Sequence, residues 1–368
     1  MKKVQSFLNN GETIKDLMYK AKEAYPTNAA FKVKVDGEIK TITFIQMMKH
    51  VESLGTELSA RNFDGKRMGI IGENSYEWFN CFLSIVCGGN IAVPFDKGLT
   101  AEELAQCVER SDIKALFYDD KHRELVAKIK QQCSQELELF RITGEENDLD
   151  EMRTAGNIKM TAGDRSYLDR PVNRSDLAVF LFTSGTTSTS KVVMLSHDNI
   201  ASNITDMLQM KIFYPNDVNM AFLPFHHSFG LVGCLVFLSS AAANVFCDGL
   251  KYVAKNLEEY GVTVFVGVPL IVENLYNKIM KQVEKQGMMG KVNTGLKLAS
   301  MLDKIGIHQR RRIFAEIINK LGGHLRLIIC GAASLSKEVA EGLNNFGIST
   351  IQGYGLTETS PVLTAERP

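Results

Sequence analysis

Apolar positions along the chain change period several times, and each change marks a change of element. IKDLMYKAKEAY and FIQMMKHVESLGTELSARN space their apolar residues at three and four, which predicts two amphipathic helices. Between them KVKVDGEIKTIT alternates around Asp36-Gly37, the pattern of a hairpin. After Asp64-Gly65, short apolar runs alternate with helices: RMGIIG, SYEWFNCFLSIVCGG, NIAVPFD, TAEELAQCVERS and KALFYD read as repeated βα units. Such units imply a parallel sheet covered by helices on both faces, so the expected class is α/β. From Glu145 to Asp176 the chain is polar and turn-rich, and an exposed connection is predicted there. LAVFLFT then reads as a strand and VVMLSHDNI as the start of a helix. A second βα series follows in VNMAFLPF, an apolar helix, NVFCDG, VTVFVGVP, LRLIICG and STIQGYG. Ligand sites in such sheets lie beyond the carboxyl ends of the strands, and polar, Gly-rich clusters fall on those ends.

Composition narrows the function classes. The 368 residues are 45% hydrophobic and 23% charged, enough to bury a core and too apolar for a disordered tail. Lys+Arg 42 against Asp+Glu 42 leaves no net field to draw the chain onto nucleic acid, which is therefore not an expected partner. Between Lys278 and Arg312, however, nine Lys/Arg face two acids, Glu284 and Asp303. That stretch reads either as a solvated helical face or as a contact for a phosphate-bearing substrate or anionic lipid. The seven cysteines are scattered and mostly flanked by apolar residues, predicting buried free thiols in a reducing compartment and no structural metal. MKKVQSFLNNGETIKDL has no apolar core before Asn9, so no signal peptide is expected and the reading is cytoplasmic. Ser228 to Cys247 carries no charge over a near-spanning length; its interruption by Ser239, Ser240 and Asn244 favours a buried helix feeding a buried strand over a membrane segment.

Two clusters carry candidate chemistry. In the loop from Thr183 through Ser184, Gly185, Thr186, Thr187, Ser188 and Thr189 to Ser190, seven of eight residues bear hydroxyls, and Lys191 follows. Converging N–H and O–H donors of this kind suit a phosphate cradle, against the plainer reading of a Ser/Thr-rich surface loop. Ser190 and Val192 rule out a Walker loop, which needs glycine and a magnesium-binding hydroxyl there. The second cluster runs from Gln352 to Thr359. Gly353 and Gly355 begin like a dinucleotide fingerprint, but Glu358 would repel a directly approaching pyrophosphate and suits magnesium instead. Tyr354 offers a face on which a base could stack; the plainer reading is a Gly-rich turn with an exposed acid.

Together the clusters resemble the adenylate-forming superfamily of acyl-CoA synthetases, peptide-synthetase adenylation domains and luciferases. IIGENS (Ile70 to Ser75), AVPFD (Ala92 to Asp96), LPFHHSFG (Leu223 to Gly230), VPLIVENL (Val268 to Leu275) and LRLIICGAASLSKEV (Leu325 to Val339) fall in family order. RRRIFAEIINKLGGHLRLIICGAASL and QGYGLTETSP are most similar to the bacterial long-chain fatty acyl-CoA synthetases. The resemblance implies two doubly wound, mostly parallel sheet subdomains covered by helices. One spans roughly 62–205 with the phosphate loop; the other joins 1–61 to 206–350, with the adenylate motif at 351–368. All of 1–368 would then be an AMP-binding N-terminal domain. It further implies that Thr183, Ser184, Gly185, Thr186 and Thr187 grip the β- and γ-phosphates, with Lys191 as their charge. Tyr354, between Gly353 and Gly355, would stack on adenine, beside which Gly331, Ala332 and Ala333 would lie. Thr357 would touch the α-phosphate and Glu358 would hold magnesium. His227 would stand between the carboxylate and acyl sites, with Phe229, Gly230, Val268 and Pro269 bordering an acyl tunnel; His226 is read as structural.

Three departures qualify the likeness. Ser188, Ser190 and Val192 stand where the family loop has glycine, proline and glycine; Ala332 replaces a common glycine; and the ribose-binding aspartate, hinge and lysine-bearing C-terminal domain are absent from the 368 residues. The expected activity is ligation of a long-chain fatty acid to coenzyme A through an acyl adenylate, with ATP and Mg2+, of which this chain supplies the nucleotide- and acyl-binding part and is expected not to turn over alone. Alternatives are adenylation of another carboxylic acid, ligation to an acyl-carrier protein, or a non-catalytic nucleotide- or acyl-binding module. LPFHHSFG and VFVGVPL hold no acid for a substrate amine, which favours an uncharged acyl group.

Overall fold

The computed structural model describes residues 12–145, 147–183 and 191–367. The alternating segment folds as expected: β1 (Ala29–Val35) and β2 (Glu38–Thr43) pair antiparallel across Asp36 and Gly37, whose φ values of 53° and 82° are those of a tight hairpin turn. β3 (Arg67–Ile71), β4 (Ile91–Pro94), β5 (Ala115–Tyr118), β6 (Glu138–Arg141), β7 (Leu177–Thr183) and β8 (Lys191–Ser196) form a 6-stranded sheet in the order β6-β5-β3-β4-β7-β8. Only the β7–β8 pair is antiparallel among these. β9 (Val218–Ala221), β10 (Ala243–Phe246), β11 (Val264–Gly267), β12 (Leu327–Cys330), β13 (Ser349–Gly355) and β14 (Val362–Ala365) join the first hairpin in an 8-stranded sheet, β14-β13-β12-β11-β9-β10-β1-β2. Every residue of β9, β11 and β12 is buried, as continuous apolar strands covered on both faces require.

The two sheets share a core. Phe79 and Trp78, on the Tyr76–Cys87 helix against the smaller sheet, meet Phe225 with ring centroids 5.2 and 4.9 Å apart, and Phe79 meets Phe31 of β1 at 5.7 Å. The uncharged stretch splits into the Ser228–Ser239 helix, inside this core, and β10, whose Ala243 and Val245 are buried in the second core; among the described residues no helix is long and apolar enough to cross a membrane. All seven cysteines are free thiols; Cys133 and Cys247 are half-buried and the others buried.

Two expectations are corrected. The polar stretch after Glu145 is not a mere connection, since it holds the Asp148–Thr161 helix packed along the Phe44–Ala60 helix. Contact there runs through backbone: a Cβ on Gly156 would lie 1.8 Å from the Ser53 carbonyl oxygen. Gly55 and Gly88 then leave a notch for the buried Tyr167 ring, whose hydroxyl donates to the Ser84 carbonyl at 3.0 Å. A helix that docks on glycine instead of an apolar stripe shows little amphipathic period. The second correction is that Val192 to Leu195 continue β8 antiparallel to β7; the helix begins only at His197, with the Ser196 hydroxyl accepting from the Asn199 N–H.

Candidate functional site

β9, β11, β12 and β13 are neighbours and parallel, so the segments that follow them leave one edge of the sheet together. These are LPFHHSFG, Val268 with Pro269, Gly331 to Ala333, and the turn beyond Gly355. A crevice beyond the carboxyl ends of adjacent parallel strands is where doubly wound sheets bind ligands.

Each turn at this edge has its own physical reason. Gly230 lets the chain fold back on itself, since a Cβ would sit 2.5 Å from the Pro224 carbonyl oxygen. Val268 is the N-cap and Pro269 the first residue of the Pro269–Lys285 helix, a place where proline loses no hydrogen bond. The Gly331 N–H donates to the Gly267 carbonyl at 3.3 Å, and a Cβ on Gly331 would lie 3.0 Å from the Phe229 ring and 3.5 Å from the Gly353 carbonyl oxygen. Phe229, Gly331 and Gly353 therefore meet. Ala332 has φ +70°, a left-handed backbone that glycine adopts at lower cost, and Ala332 and Ala333 are both exposed.

The turn after β13 is built on close approach. Gly353, Tyr354 and Gly355 pair with Ala365, Thr364 and Val362 of β14, and a Cβ on Gly355 would fall 1.8 Å from the Pro361 carbonyl oxygen. Closing the turn, the Leu356 N–H donates to that oxygen at 3.0 Å. Tyr354 is 61% exposed, and Glu358 is exposed in the short Thr357–Thr359 turn. The Ser228 hydroxyl lies 3.4 Å from the Thr357 hydroxyl, joining this turn to the start of the Ser228–Ser239 helix.

Thr183 and Lys191 stand opposite each other at the loop end of the β7–β8 hairpin. Ser184, Gly185, Thr186 and Thr187 lie outside the described residues, as do Ser188 and Ser190. Val192 pairs with Phe182 in the ladder, an extended position that does not call for the glycine usual in the resembling loop. β8 contacts the Thr357–Thr359 turn, which brings the hairpin to the acid turn. A second tie was not legible in the sequence. From the His197–Gln209 helix, the Asn203 amide donates to the Val362 carbonyl at 2.7 Å and its oxygen accepts from the Val362 N–H at 3.4 Å.

The two histidines part company. His227 is exposed and caps nothing with its ring. His226 is half-buried, with its Nε2 3.5 Å from Asp96, two residues beyond β4, and its ring 4.2 Å from that of His227. Burial first, and the neighbouring His227 second, lower its pKa to about 4. Asn74, after β3, donates to the Leu223 carbonyl at 2.8 Å, so the smaller sheet also buttresses this turn. Beneath the edge, Phe229, Gly233 and Phe237 of one helix, Val266 and Ile329 of the sheet and Val362 line a narrow apolar crevice of about 10 Å³. Gly230 lines the adjoining crevice, which shares Gly233 and Val266. Val268 packs against both cores off that wall, because the chain turns into its helix at Pro269 and leaves Val266 as the lining residue.

A sequence profile of the family described as AMP-binding enzyme matches residues 19–368. Among curated proteins the chain is similar to long-chain-fatty-acid–CoA ligase 5 of Rattus norvegicus, 28% identical over 346 residues covering 87% of this chain and 50% of that protein. It is also similar to long chain acyl-CoA synthetase 4 of Arabidopsis thaliana, 25% identical over 387 residues covering 94% of this chain and 56% of that one. The chain thus spans about half the length of the curated relatives it matches. Among solved structures, a long-chain-fatty-acid-CoA ligase (FadD1) from Archaeoglobus fulgidus matches with a TM-score of 0.77 and 18% identity, over 98% of this chain and 67% of that one. VinN in complex with L-aspartate matches with a TM-score of 0.75 and 19% identity, over 98% and 80%. These structures share the fold.

Proposed function

Because the chain belongs to the AMP-binding enzyme family, we propose that it carries the nucleotide and acyl sites of an ATP-dependent ligase that joins a long-chain fatty acid to coenzyme A. A carboxylate oxygen of the fatty acid attacks the α-phosphate of ATP and expels pyrophosphate; the thiol of coenzyme A then attacks the acyl carbon and releases AMP. Chemistry of this kind needs positioning and charge stabilisation more than a nucleophilic side chain. The observation that carries the reading is the apolar wall lining the narrow crevice at Phe229, where Phe229 meets Gly331 and Gly353 close to the Thr357 turn.

In this reading Thr183 with Ser184 to Thr187 and Lys191 hold the terminal phosphates. Tyr354 stacks on the base, flanked by Gly353 and Gly355, with Gly331, Ala332 and Ala333 along its edge. Thr357 donates to the α-phosphate, while His227, Phe229 and Gly230 meet the acid, with Val268 and Pro269 behind them. Glu358 fits a magnesium site of the phosphate-bridging kind: its carboxylate is exposed, makes no ion pair among the described residues, and such sites need only one or two protein carboxylates. Bound there, the ion would offset charge developing on the phosphates. The crevice walls named above carry no acid to pair a substrate ammonium, which favours a fatty acid over an amino acid. A cytoplasmic site of action accords with free cysteine thiols. For the 368 residues alone the proposal is binding without turnover, since the aspartate and lysine implied by the resemblance would follow Pro368.

The test is calorimetry with ATP, magnesium and a series of saturated acids, beside a thioester-formation assay. Affinity is expected to rise by about 0.8 kcal/mol per buried methylene until the crevice ends. Equal binding of acetate and a long-chain acid would sink the fatty-acid reading, and thioester formation by these residues alone would show that the catalytic groups are misplaced.

A further inference from the structure

The Met289–Lys304 helix is 16 residues long, yet only Val292 and Ala299 are buried. Those two are seven residues apart and mark the inner face. Met301 comes nine residues after Val292, about two and a half turns, and so points the opposite way. Leu298, Met301 and Ile305 are 48%, 67% and 69% exposed and fall at i, i+3 and i+7, a single outward stripe. Lys297 and Lys304 run along one flank of it and Lys291 along the other, all exposed. The helix has one acid, Asp303, which is turned inward and held by Arg310 at 2.8 Å and His308 at 3.0 Å. Single exposed apolar residues are ordinary; an ordered stripe flanked by three lysines is not what a solvated helical face needs.

We propose that this helix is a docking surface for the headgroup layer of an anionic lipid bilayer, lying in the plane of the surface with Leu298, Met301 and Ile305 inserted and the lysines reaching out to lipid phosphates. Both halves of the pattern fit one occupant: the stripe matches the acyl boundary and the lysine stems can extend along it to the headgroups. A second copy of the chain would bring like-charged lysines together, so charge complementarity favours lipid. The placement draws on no catalytic residue, and its test needs no turnover.

Sedimentation of the 368-residue protein with vesicles of phosphatidylcholine, with and without phosphatidylglycerol, at low and high salt decides the matter. Phosphatidylglycerol vesicles are expected to bind at least about tenfold more strongly, with the difference shrinking as salt screens the lysines. Met301→Asp with Ile305→Asp, and separately Lys297→Glu with Lys304→Glu, should each weaken binding by about tenfold or more while leaving thermal unfolding unchanged, because these side chains are exposed. Equal binding to both vesicles, binding to neither, or variants that bind like the parent would overturn the inference. So would a concentration-dependent dimer abolished by the same substitutions, which would assign the stripe to a second copy.

Discussion

The turns after β12 and after β13 are neighbours on one sheet edge, yet their residues are constrained in different ways. At Gly355 the constraint is space: the Pro361 carbonyl oxygen occupies the place of any Cβ. At Ala332 it is dihedral angle: the backbone is left-handed, but the side chain is exposed and meets open surroundings. A collision has to be relieved by moving the turn that carries Thr357 and Glu358, whereas a strained angle is simply tolerated at a cost of about 1–2 kcal/mol. The first glycine is therefore indispensable to the site and the second position is not.

That contrast can be broken most forcefully at Gly355. Gly355→Ala is expected to cost about 3 kcal/mol or more and to weaken ATP binding sharply, measured by denaturant unfolding and calorimetry. A neutral result would mean that the turn relaxes freely. Acid extends the comparison to the turn after β9. His226 and the fully buried His197, both with pKa lowered to about 4 mainly by burial, are neutral when folded, while the unfolded chain binds protons below about 6.5. Stability should thus fall as pH drops from 6.5 towards 4, and then level off for these groups. His226→Asn should flatten part of that slope in unfolding curves taken across the range.

Smaller effects sharpen the picture. Asn203→Ala leaves both Val362 backbone groups without their partner and is expected to cost about 1–2 kcal/mol. If Asn203 serves to position the acid turn, ATP affinity should fall as well, and Asn203→Gln should not restore it. Ala332→Gly is expected to move stability the other way: relief of about 1–2 kcal/mol outweighs the roughly 0.4–1 kcal/mol that glycine adds to the freedom of the unfolded chain, for a gain of about 0.5 kcal/mol.

What the sequence reveals follows from the range of the forces involved. Asp36-Gly37 and the apolar runs of β9, β11 and β12 are local signals, and each became the expected hairpin or buried strand. The motif segments after these strands were legible as candidates because parallel strands deliver their ends to one edge. The Asp148–Thr161 helix was hidden, since its docking surface is the backbone at Gly156 and Ser53. Val192 to Leu195 read as the start of a helix, and only their pairing with β7 makes them a strand. His226 and His227 are told apart in the sequence only by the resemblance of LPFHHSFG; the physical difference between them is Asp96, far away in sequence, beside His226. Asn203 finds Val362 159 residues further on, a contact that no short-range pattern announces.

The proposed role of Glu358, holding magnesium at this edge, is tested most directly by calorimetry of ATP binding with and without the ion. The native chain is expected to bind ATP more tightly with magnesium than with chelator, while Glu358→Gln binds no better with the ion than without it and unfolds like the native protein. An unchanged magnesium dependence in Glu358→Gln, or no ATP binding by the native chain at all, would contradict it.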